Sequence, residues 1–423
     1  MPQEIPRGVK DLSPSEAISM NYIISVVEEV FKRFGFRPIF TPSFENLDIL
    51  NAKAYGDEST KEIFSISGEE AGLRYDFTVP LARYVSMNKD LVLPFKRYQI
   101  GNIWRKEEPQ HMRYREAVQA DVDIVGSSDI DSDAEVIAAN ALAIEELGIR
   151  EYTLFVNSRV LIYNVLDHFK VPKEKQTDAL RTIDKMQKIG KEEVLSQLSK
   201  SGIKSEIGEE LLNFIGQESS NDEKLETMSG EIEGAKEEVG KMQKLLALLG
   251  EYKINGNVKV DLSLVRGLNY YTGFIWEFVV EKDGKRLPTI AGGGRYDNLI
   301  GIYSKRSIPA VGSSLGISRI FDVISSENEI RTYAKVFIAY LNEQNRDYAI
   351  NAANALRGNG IYVDLNSTSR SLSKQLEYAG SLRIKKVIIL GNKERESNKV
   401  KLRDMDTGQE ELISLQEAIE KLR

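Results

Sequence analysis

WRKEEPQHMRYREAVQADVDIVG, residues 104–126, contains the end of one predicted β-strand, a polar loop and a second β-strand. Alternation with period two places Arg105 and Glu107 on one face of the first strand, which begins near Lys96. The second strand carries polar side chains on one face and apolar ones on the other. Its polar positions are Gln119, Asp121 and Asp123. This pattern predicts an antiparallel strand pair with one face unusually rich in charge.

N-terminal to this pair, the sequence predicts a long helix and then an edge strand. Ser13 and Glu16 have the spacing of a capping box, so we expect a helix over residues 14–34, closed by Gly35. Apolar residues recur every four positions and suggest one buried stripe. They are Ile18, Tyr22, Val26, Val30 and Phe34. The following stretch FRPIFTPSFEN contains two prolines, which favour the edge of a sheet.

C-terminal to the pair, the composition changes twice. Residues 170–250 are rich in Lys, Glu, Ser and Gly, and we interpret them as an inserted helical module rather than a flexible linker, because LLNFI and MQKLLALLG keep helical spacing. After residue 328, the runs KVFIAYL, IYVDL and KKVIILG alternate with helical segments near 346–357 and 371–383. This is the βαβ rhythm of a small, largely parallel sheet.

Composition narrows the class of protein. The 423 residues carry a net charge of −7 and contain no cysteine, so we expect a cytoplasmic protein without disulfides or a Cys-based metal site. The sequence shows no unbroken apolar run of membrane-spanning length, so we expect no membrane partner. Residues 331–423 contain 16 Lys and Arg against 12 Asp and Glu. Either chance or a surface that faces nucleic acid accounts for this mild excess.

Common catalytic and nucleotide-binding motifs are missing or incomplete. There is no P-loop and no G-x-G-x-x-G fingerprint. GSSLG at 312–316 matches the nucleophile elbow, but a hydrolase triad of that order needs a later histidine, and His111 and His168 both precede it. We therefore expect these glycines to allow a close approach of helix and sheet instead.

Five arginines remain beside glycines, tyrosines or carboxylates: Arg105, Arg113, Arg266, Arg295 and Arg319. A guanidinium donates two parallel hydrogen bonds that suit phosphate oxygens. For any single arginine, a structural ion pair is the more common role. Taken together, the five favour a pocket for a polyanion.

Several segments resemble class II aminoacyl-tRNA synthetases. WRKEEPQHMRYREAVQADVDIVG is similar to motif 2, FGFRPIFTPSFE with Pro42 to motif 1, and PAVGSSLGISRI to motif 3. LVRGLNYYTGF, AGGGRYDNL and LRYDFTVPLAR resemble segments peculiar to histidyl-tRNA synthetases. The resemblance covers the whole chain in the domain order of that family.

The resemblance implies an α+β catalytic domain with a mostly antiparallel sheet flanked by helices, a helical insertion and a C-terminal α/β domain. The implied boundaries are 1–170 and 251–328 for the two parts of the catalytic domain, 171–250 for the insertion and 331–423 for an anticodon-binding domain. It also implies formation of histidyl-adenylate from L-histidine and ATP with Mg²⁺, transfer to tRNA(His), and a homodimer that forms through motif 1. The sequence does not identify the residues that bind Mg²⁺.

The resemblance assigns roles residue by residue. Arg105 would bind the α-phosphate of ATP, Glu107 the adenine edge, and Arg113 and Arg319 the outer phosphates. Arg266 would touch both the substrate carboxylate and the α-phosphate, so it and Arg105 are the expected catalytic residues. The expected histidine-binding residues are Asp76, Thr78, Gln119, Asp123, Arg266, Tyr270, Tyr271 and Tyr296. Among these, Asp123 and Tyr271 would bond the two imidazole nitrogens.

Two positions depart from the family pattern. Ala117 stands where an aromatic residue usually stacks on adenine, and Asn269 replaces an aspartate in the segment before Tyr271. The principal alternative is a non-catalytic, histidine-sensing relative of the synthetases. Such proteins typically lose the arginine-bearing segment and the C-terminal domain, and both are present here.

Overall fold

The computed structural model describes residues 4–51, 60–265, 270–282, 284–304, 306–324 and 330–423. The chain divides into two compact units. The first comprises Met1–Lys10 and Tyr22–Ile324, and the second comprises Asp11–Asn21 and Ser325–Arg423.

The described strands of the first unit are short, apart from one long pair in the middle. They are β1 (Arg37–Pro38), β2 (Phe44–Asn46), β3 (Ala71–Leu73), β4 (Phe95–Trp104), β5 (Glu116–Val125), β6 (Thr153–Ser158), β7 (Asn257–Val260), β8 (Phe274–Val279), β9 (Glu281–Lys282), β10 (Lys285–Arg286), β11 (Ala291–Arg295) and β12 (Ala310–Leu315). Eight of them form one sheet in the order β1-β4-β5-β12-β11-β8-β6-β7. Its pairings are antiparallel except at the two ends, where β1 pairs with β4 and β7 with β6 in parallel.

Helices lie before, between and after these strands. They are α1 (Pro14–Arg33), α2 (Leu47–Leu50), α3 (Thr78–Met87), α4 (Ile130–Glu146), α5 (Arg159–His168), α6 (Lys173–Ile183), α7 (Met186–Ile189), α8 (Lys191–Lys200), α9 (Ser205–Ile215), α10 (Asn221–Glu231), α11 (Lys236–Glu251), α12 (Leu299–Tyr303) and α13 (Ile317–Ile324). The mostly antiparallel sheet with flanking helices confirms the predicted fold class. The stretch between β6 and β7 is helical, with α5 to α11 following one another.

The buried side of α1 differs from the predicted stripe. The capping box forms, because the backbone N–H of Ser13 donates to Glu16 Oε2 at 2.8 Å. Tyr22 is 55% exposed, however, whereas Ile23 and Phe31 are fully buried. A repeat of exactly four residues advances about 40° per step on a helix of 3.6 residues per turn, so the predicted stripe could not stay on one face.

The strand pair β4–β5 carries the predicted alternation. Its register opposes Arg97 to Asp123 and Gln99 to Asp121. The apolar positions Ala120 and Val122 are fully buried on the opposite face of β5. One face of the pair therefore belongs to the hydrophobic core, while the other presents polar groups.

The second unit is a smaller sheet covered by helices. Its strands are β13 (Val336–Tyr340), β14 (Val363–Leu365), β15 (Lys386–Leu390), β16 (Val400–Asp404) and β17 (Glu410–Ile413), in the order β14-β13-β15-β16-β17. Its helices are α14 (Arg346–Gly358), α15 (Leu372–Ser381), α16 (Asn392–Glu396) and α17 (Leu415–Leu422), with a 3₁₀ turn at Glu343–Asn345.

Only part of this second sheet is parallel. The predicted strands β13, β14 and β15 pair in parallel, but β16 and β17 form an antiparallel hairpin that the βαβ interpretation did not include. The hairpin turns at Gly408, whose φ of +74° favours glycine. Among all described helices of the chain, none combines the length and apolar character needed to cross a membrane.

Candidate active site

An open cavity of about 410 Å³ lies in the first unit, above the polar face of the large sheet. Its lining comes from β5, β8, β11 and β12, from the loop that joins β4 to β5, and from the beginnings of α3 and α13. The lining is mainly polar and separates into a carboxylate-rich group and an arginine-rich group.

The carboxylate group is centred on Asp123, which is 2% exposed. Its Oδ1 accepts a hydrogen bond from the hydroxyl of Tyr296, and its Oδ2 lies 2.6 Å from Nη2 of Arg97 in an ion pair. Arg97 is completely buried and does not itself line the cavity. Burial raises the pKa of Asp123, and the positive charge of Arg97 opposes that rise. Asp123 is thus held on two sides while its carboxylate faces the cavity.

Asp121, two residues earlier on the same strand, also lines the cavity and is 3% exposed. Its Oδ1 has no hydrogen-bond partner among the described residues. Burial raises the pKa of Asp121 to about 7. The positive charge of Arg97 opposes this rise, and the negative charge of Asp123 adds to it. Asp121 therefore changes charge near neutrality.

Asp76 belongs to the same group through the start of α3. Its Oδ1 accepts hydrogen bonds from the backbone N–H groups of Thr78 and Val79 at 3.0 and 3.1 Å. These are N–H groups in the first turn of the helix, where a carboxylate is stabilised by otherwise unpaired donors. The helix start thus fixes Asp76 and Thr78 at the wall of the cavity.

Three tyrosines close this side of the cavity. The ring of Tyr270 lies 4.8 Å from that of Tyr271 and 5.8 Å from that of Tyr296, measured between ring centroids. All three are at least nine-tenths buried. Burial raises the pKa of Tyr270 and Tyr296 well above the ordinary value, so both hydroxyls keep their protons and can donate hydrogen bonds.

Glycines make room for these side chains. A Cβ on Gly312 of β12 would lie 1.8 Å from Asp123 Oδ1, and one on Gly294 of β11 would lie 2.7 Å from the ring of Tyr271. Both distances are shorter than any real Cβ contact, so only glycine fits at either position. GSSLG consequently lies largely in strand β12, beside Asp123, and forms no nucleophile elbow.

The arginine group begins where β4 ends. The guanidinium of Arg105 lies over the ring of Tyr75, 4.5 Å from its centroid, and its Nε donates to the backbone carbonyl of Tyr75 at 3.2 Å. Arg113 forms an ion pair with the buried carboxylate of Glu107. These contacts hold both guanidinium groups at the wall of the cavity.

Arg319 reaches the same region from α13. Its Nε donates to the backbone carbonyl of Met112 at 3.1 Å, and its Nη1 donates to that of Thr289 at 2.6 Å. Thr289 in turn donates its hydroxyl proton to Glu277 Oε2 at 2.8 Å. The loop before β11 is thereby joined to the motif that carries Arg113.

Arg295 has the more common role of a single arginine, a structural ion pair. Its guanidinium pairs with Asp133 and Asp297 and donates to the backbone carbonyls of Ser127 and Asp129. It is 7% exposed and does not line the cavity. Arg295 therefore ties β11 to the start of α4 and is excluded from the set of cavity arginines.

The cavity collects eleven of the twelve predicted site residues: Asp76, Thr78, Arg105, Glu107, Arg113, Gln119, Asp123, Tyr270, Tyr271, Tyr296 and Arg319. Arg266 and Asn269 lie outside the described residues. Ala117 also lines the cavity, so its small side chain leaves space at that wall. Arg97 is not among the residues predicted from the sequence. Its signal there is a charged side chain inside the run KRYQIG, on the same strand face as Gln99.

This arrangement can bind one molecule with cationic or N–H groups and another with phosphate groups. Carboxylates and tyrosine hydroxyls recognise the first kind of group, while guanidinium groups recognise the second. Because both groups line one cavity, a reaction between the two bound molecules can take place there.

Comparison with known proteins connects the chain to a family. The family model "Histidyl-tRNA synthetase" matches residues 8–320, and the model "Anticodon binding domain" matches residues 335–423. The chain is 37% identical to the histidine–tRNA ligase of Korarchaeum cryptofilum over 99% of its own length and 98% of that protein. It is also 37% identical to the histidine–tRNA ligase of Aeropyrum pernix, over 98% and 96%.

Solved structures agree with these relatives. The histidyl-tRNA synthetase of Nostoc sp. PCC 7120 superposes with a TM-score of 0.88 at 26% identity and covers 100% of this chain and 99% of its own. A protein of Bacillus halodurans, described as an ATP phosphoribosyltransferase regulatory subunit/histidyl-tRNA synthetase, shares the fold with a TM-score of 0.77 at 22% identity, over 93% of this chain and 99% of its own.

Proposed function

The chain belongs to the histidyl-tRNA synthetase family, and we propose that the cavity of the first unit is the place where histidine meets ATP. The protein is a class II histidine–tRNA ligase and acts in translation. It joins histidine to tRNA with ATP as the energy source. In the first step, the carboxylate of histidine attacks the α-phosphate of ATP, which gives histidyl-adenylate and releases pyrophosphate. The histidyl group then passes to the terminal ribose of tRNA(His).

The arginine group suits ATP. Arg105 binds the α-phosphate, and Arg113 and Arg319 bind the outer phosphates, because fixed guanidinium groups donate paired hydrogen bonds to phosphate oxygens without reorganisation. Glu107 holds Arg113 by the ion pair described above and meets the adenine edge. Attack of a carboxylate on a phosphate brings two anions together, so Arg266 between them offsets the repulsion in the transition state.

The carboxylate group suits histidine. Asp76, Thr78 and Gln119 hold the α-amino group, which is a cation with three donors. Asp123 accepts from one imidazole nitrogen and Tyr271 bonds the other, while Tyr270 and Tyr296 line the ring. The observation that carries this proposal is the fixed position of Asp123, between Arg97 and the hydroxyl of Tyr296, with its carboxylate facing the cavity.

Mg²⁺ fits the arginine side of the cavity as a companion of ATP. Among the described residues, no cluster of three or more His, Cys, Asp and Glu side chains could hold a metal ion unaided. Mg²⁺ commonly uses one or two carboxylates together with phosphate oxygens and water. Glu277 lines the cavity and is joined to Arg319 through Thr289, so we assign Glu277 to the ion. The ion would neutralise phosphate charge.

The remaining segments have roles beyond the cavity. We assign residues 1–170 and 251–328 to catalysis, 171–250 to the acceptor arm of tRNA(His) and 331–423 to its anticodon. The substrates meet in the cytoplasm, where we place the enzyme. A homodimer that forms through motif 1 is supported by the exposed apolar side chains in and near that segment, notably Phe40, which is 86% exposed, and Phe44.

An exchange assay tests the function. The purified protein is incubated with ATP, labelled pyrophosphate and one amino acid at a time, and incorporation of label into ATP is measured. We expect exchange with histidine alone. Exchange with another amino acid but not histidine would contradict the specificity, and absence of exchange with every amino acid would favour the histidine-sensing alternative. The second unit, which matches the anticodon-binding model, does not favour that alternative.

A further inference from the structure

Arg97 is a charged residue at a fully buried position, and its local packing does not explain why an arginine is present there. It lies inside β4, directly opposite Asp123 in the register of β5, and its side chain is completely buried. Burying a guanidinium costs several kcal/mol unless its charge and its N–H groups find partners. An apolar side chain at this position of a buried strand would avoid that cost.

The partners of Arg97 are few. Its Nη2 lies 2.6 Å from Asp123 Oδ2 and 3.4 Å from the backbone carbonyl of Phe77. Its Nε and Nη1 have no hydrogen-bond partner among the described residues. Arg97 is therefore poorly satisfied as a structural residue, and the carboxylate of Asp123 is its principal contact.

Asp121 shares the same cation. It lies two positions from Asp123 on the same face of β5 and feels the charge of Arg97, although its Oδ1 has no hydrogen-bond partner among the described residues. Arg97 thus serves two buried carboxylates. Without it, two like charges would lie close together in a medium that screens them weakly, and one of them would take up a proton.

We propose that Arg97 is a positioning residue for histidine selection, acting from behind the cavity to keep Asp123 ionised and correctly oriented in the presence of Asp121. The proposal rests on the assignment of Asp123 to the imidazole. An ionised carboxylate can only accept hydrogen bonds, so it selects a side chain that offers an N–H group. A protonated Asp123 would offer a donor to the same ring and lose this preference. Arg97 never touches the substrate in this account.

Steady-state exchange kinetics of Arg97→Met test the proposal. We expect the KM for histidine to rise at least about tenfold, since one partner of a buried pair is lost, while the KM for ATP changes less than about threefold. Arg97→Lys, which keeps the charge, should recover most of the affinity for histidine. Equal KM values for histidine in Arg97→Met and the wild type would overturn the proposal, as would an equal rise in both constants.

A double variant separates the effect of the charge of Arg97 from the effect of its side-chain shape. Arg97→Met combined with Asp121→Asn leaves Asp123 and Asp76 without the cation. It restores the net charge that the wild-type cluster has above about pH 7, where Asp121 is ionised. We expect its KM for histidine to be at least about threefold lower than that of Arg97→Met alone, because the two positions are coupled. If Arg97→Met does not fold, the KM for histidine is measured in the double variant and in Arg97→Lys instead. Failure of both folded variants to bind histidine would overturn the proposal.

Two controls distinguish a failure of the proposal about Arg97 from a failure of the proposed function. Arg83→Met removes another ion pair, with Glu45, outside the cavity lining, and should lower stability without changing the ratio of the two KM values. Wild-type exchange with histidine, and a raised KM for histidine in Asp123→Asn, test the proposed function itself. If those two results hold and the Arg97 variants leave the KM for histidine unchanged, only the inference about Arg97 fails.

Discussion

At the scale of single residues, the charged groups that line the cavity are held in place by their neighbours. Asp123 is held by Arg97 and Tyr296, and Asp76 by the first N–H groups of α3. Preorganised groups of this kind stabilise developing charge without reorganising during the reaction. The roles predicted for the site residues came from motif resemblance. The alternation of KRYQIG placed Arg97 on the polar face of its strand, but its partner Asp123 can be identified only once the strand pairing is known.

Arg266 is the residue for which a variant should have the largest kinetic effect. Replacing it with alanine removes the cation proposed to lie between the carboxylate and the α-phosphate. Adenylate formation should lose about 3–4 kcal/mol of transition-state stabilisation, measured as kcat/KM in pyrophosphate exchange. A variant that keeps nearly full exchange activity would show that Arg266 is structural.

Asp121 should make stability depend on pH in a defined direction. Its pKa in the folded protein is raised to about 7, so the folded state holds a proton that the unfolded state has already released above about pH 4. The stability contributed by this residue therefore falls as the pH rises from about 4 to about 7 and is constant above that.

Asp121→Asn, which cannot ionise, removes this dependence. The free energy of unfolding of the variant relative to the wild type should increase by on the order of 1–3 kcal/mol between pH 5 and pH 8, measured by urea unfolding at each pH. A difference that shrinks as the pH rises would contradict the assignment.

At the scale of elements, the cavity exists because neighbouring strands have glycines where side chains from other strands must pass. β11 and β12 pair side by side, and Gly312 of β12 also lies opposite Asp123 of β5. The strand pair β4–β5 was predictable because period-two alternation is strong there. The hairpin β16–β17 was missed, although its turn sequence DTG and the alternation of VKLRD were visible.

Gly312→Ala should damage the site while leaving most of the sheet intact. The added Cβ would lie 1.8 Å from Asp123 Oδ1 and force that carboxylate to move. We expect the KM for histidine to rise by more than about tenfold in exchange assays. Gly240→Ala is the matched control, since nothing lies within 4 Å of its Cβ in α11, and it should stabilise the protein by about 0.5–1 kcal/mol. An unchanged KM in Gly312→Ala would contradict the proposed role of Asp123.

At the scale of the whole molecule, the cavity is assembled from distant parts of the chain. Tyr296 bonds Asp123 across 173 positions of sequence. Composition and periodicity predict local elements, but they cannot place such partners together, because many pairings satisfy the same local pattern. Family resemblance supplied that long-range information, and it also implied a catalytic domain, a helical insertion and an anticodon-binding domain with separate tasks.

The proposed dimer can be tested at the exposed apolar surface of motif 1. Phe40→Asp places a charge on a side chain that is 86% exposed in the single chain, so it should not disturb folding but should weaken an apolar interface by at least about 2 kcal/mol. Sedimentation velocity should show more monomer than in the wild type at equal concentration. Leu412→Asp, at an exposed position of β17, is the control and should leave the assembly state unchanged. A wild type that is monomeric at all concentrations would refute the dimer.

The placement of histidine at the carboxylate group and of ATP at the arginine group is tested most directly with Asp123→Asn. The KM for histidine and the KM for ATP of this variant are measured in pyrophosphate exchange. The substitution keeps the size of the side chain and removes the charge that accepts the imidazole N–H. We predict a KM for histidine raised by more than about tenfold with a KM for ATP within about threefold of the wild type. A variant whose KM for histidine is unchanged, or whose KM for ATP rises equally, would contradict the placement of histidine at the carboxylates and of ATP at the arginines.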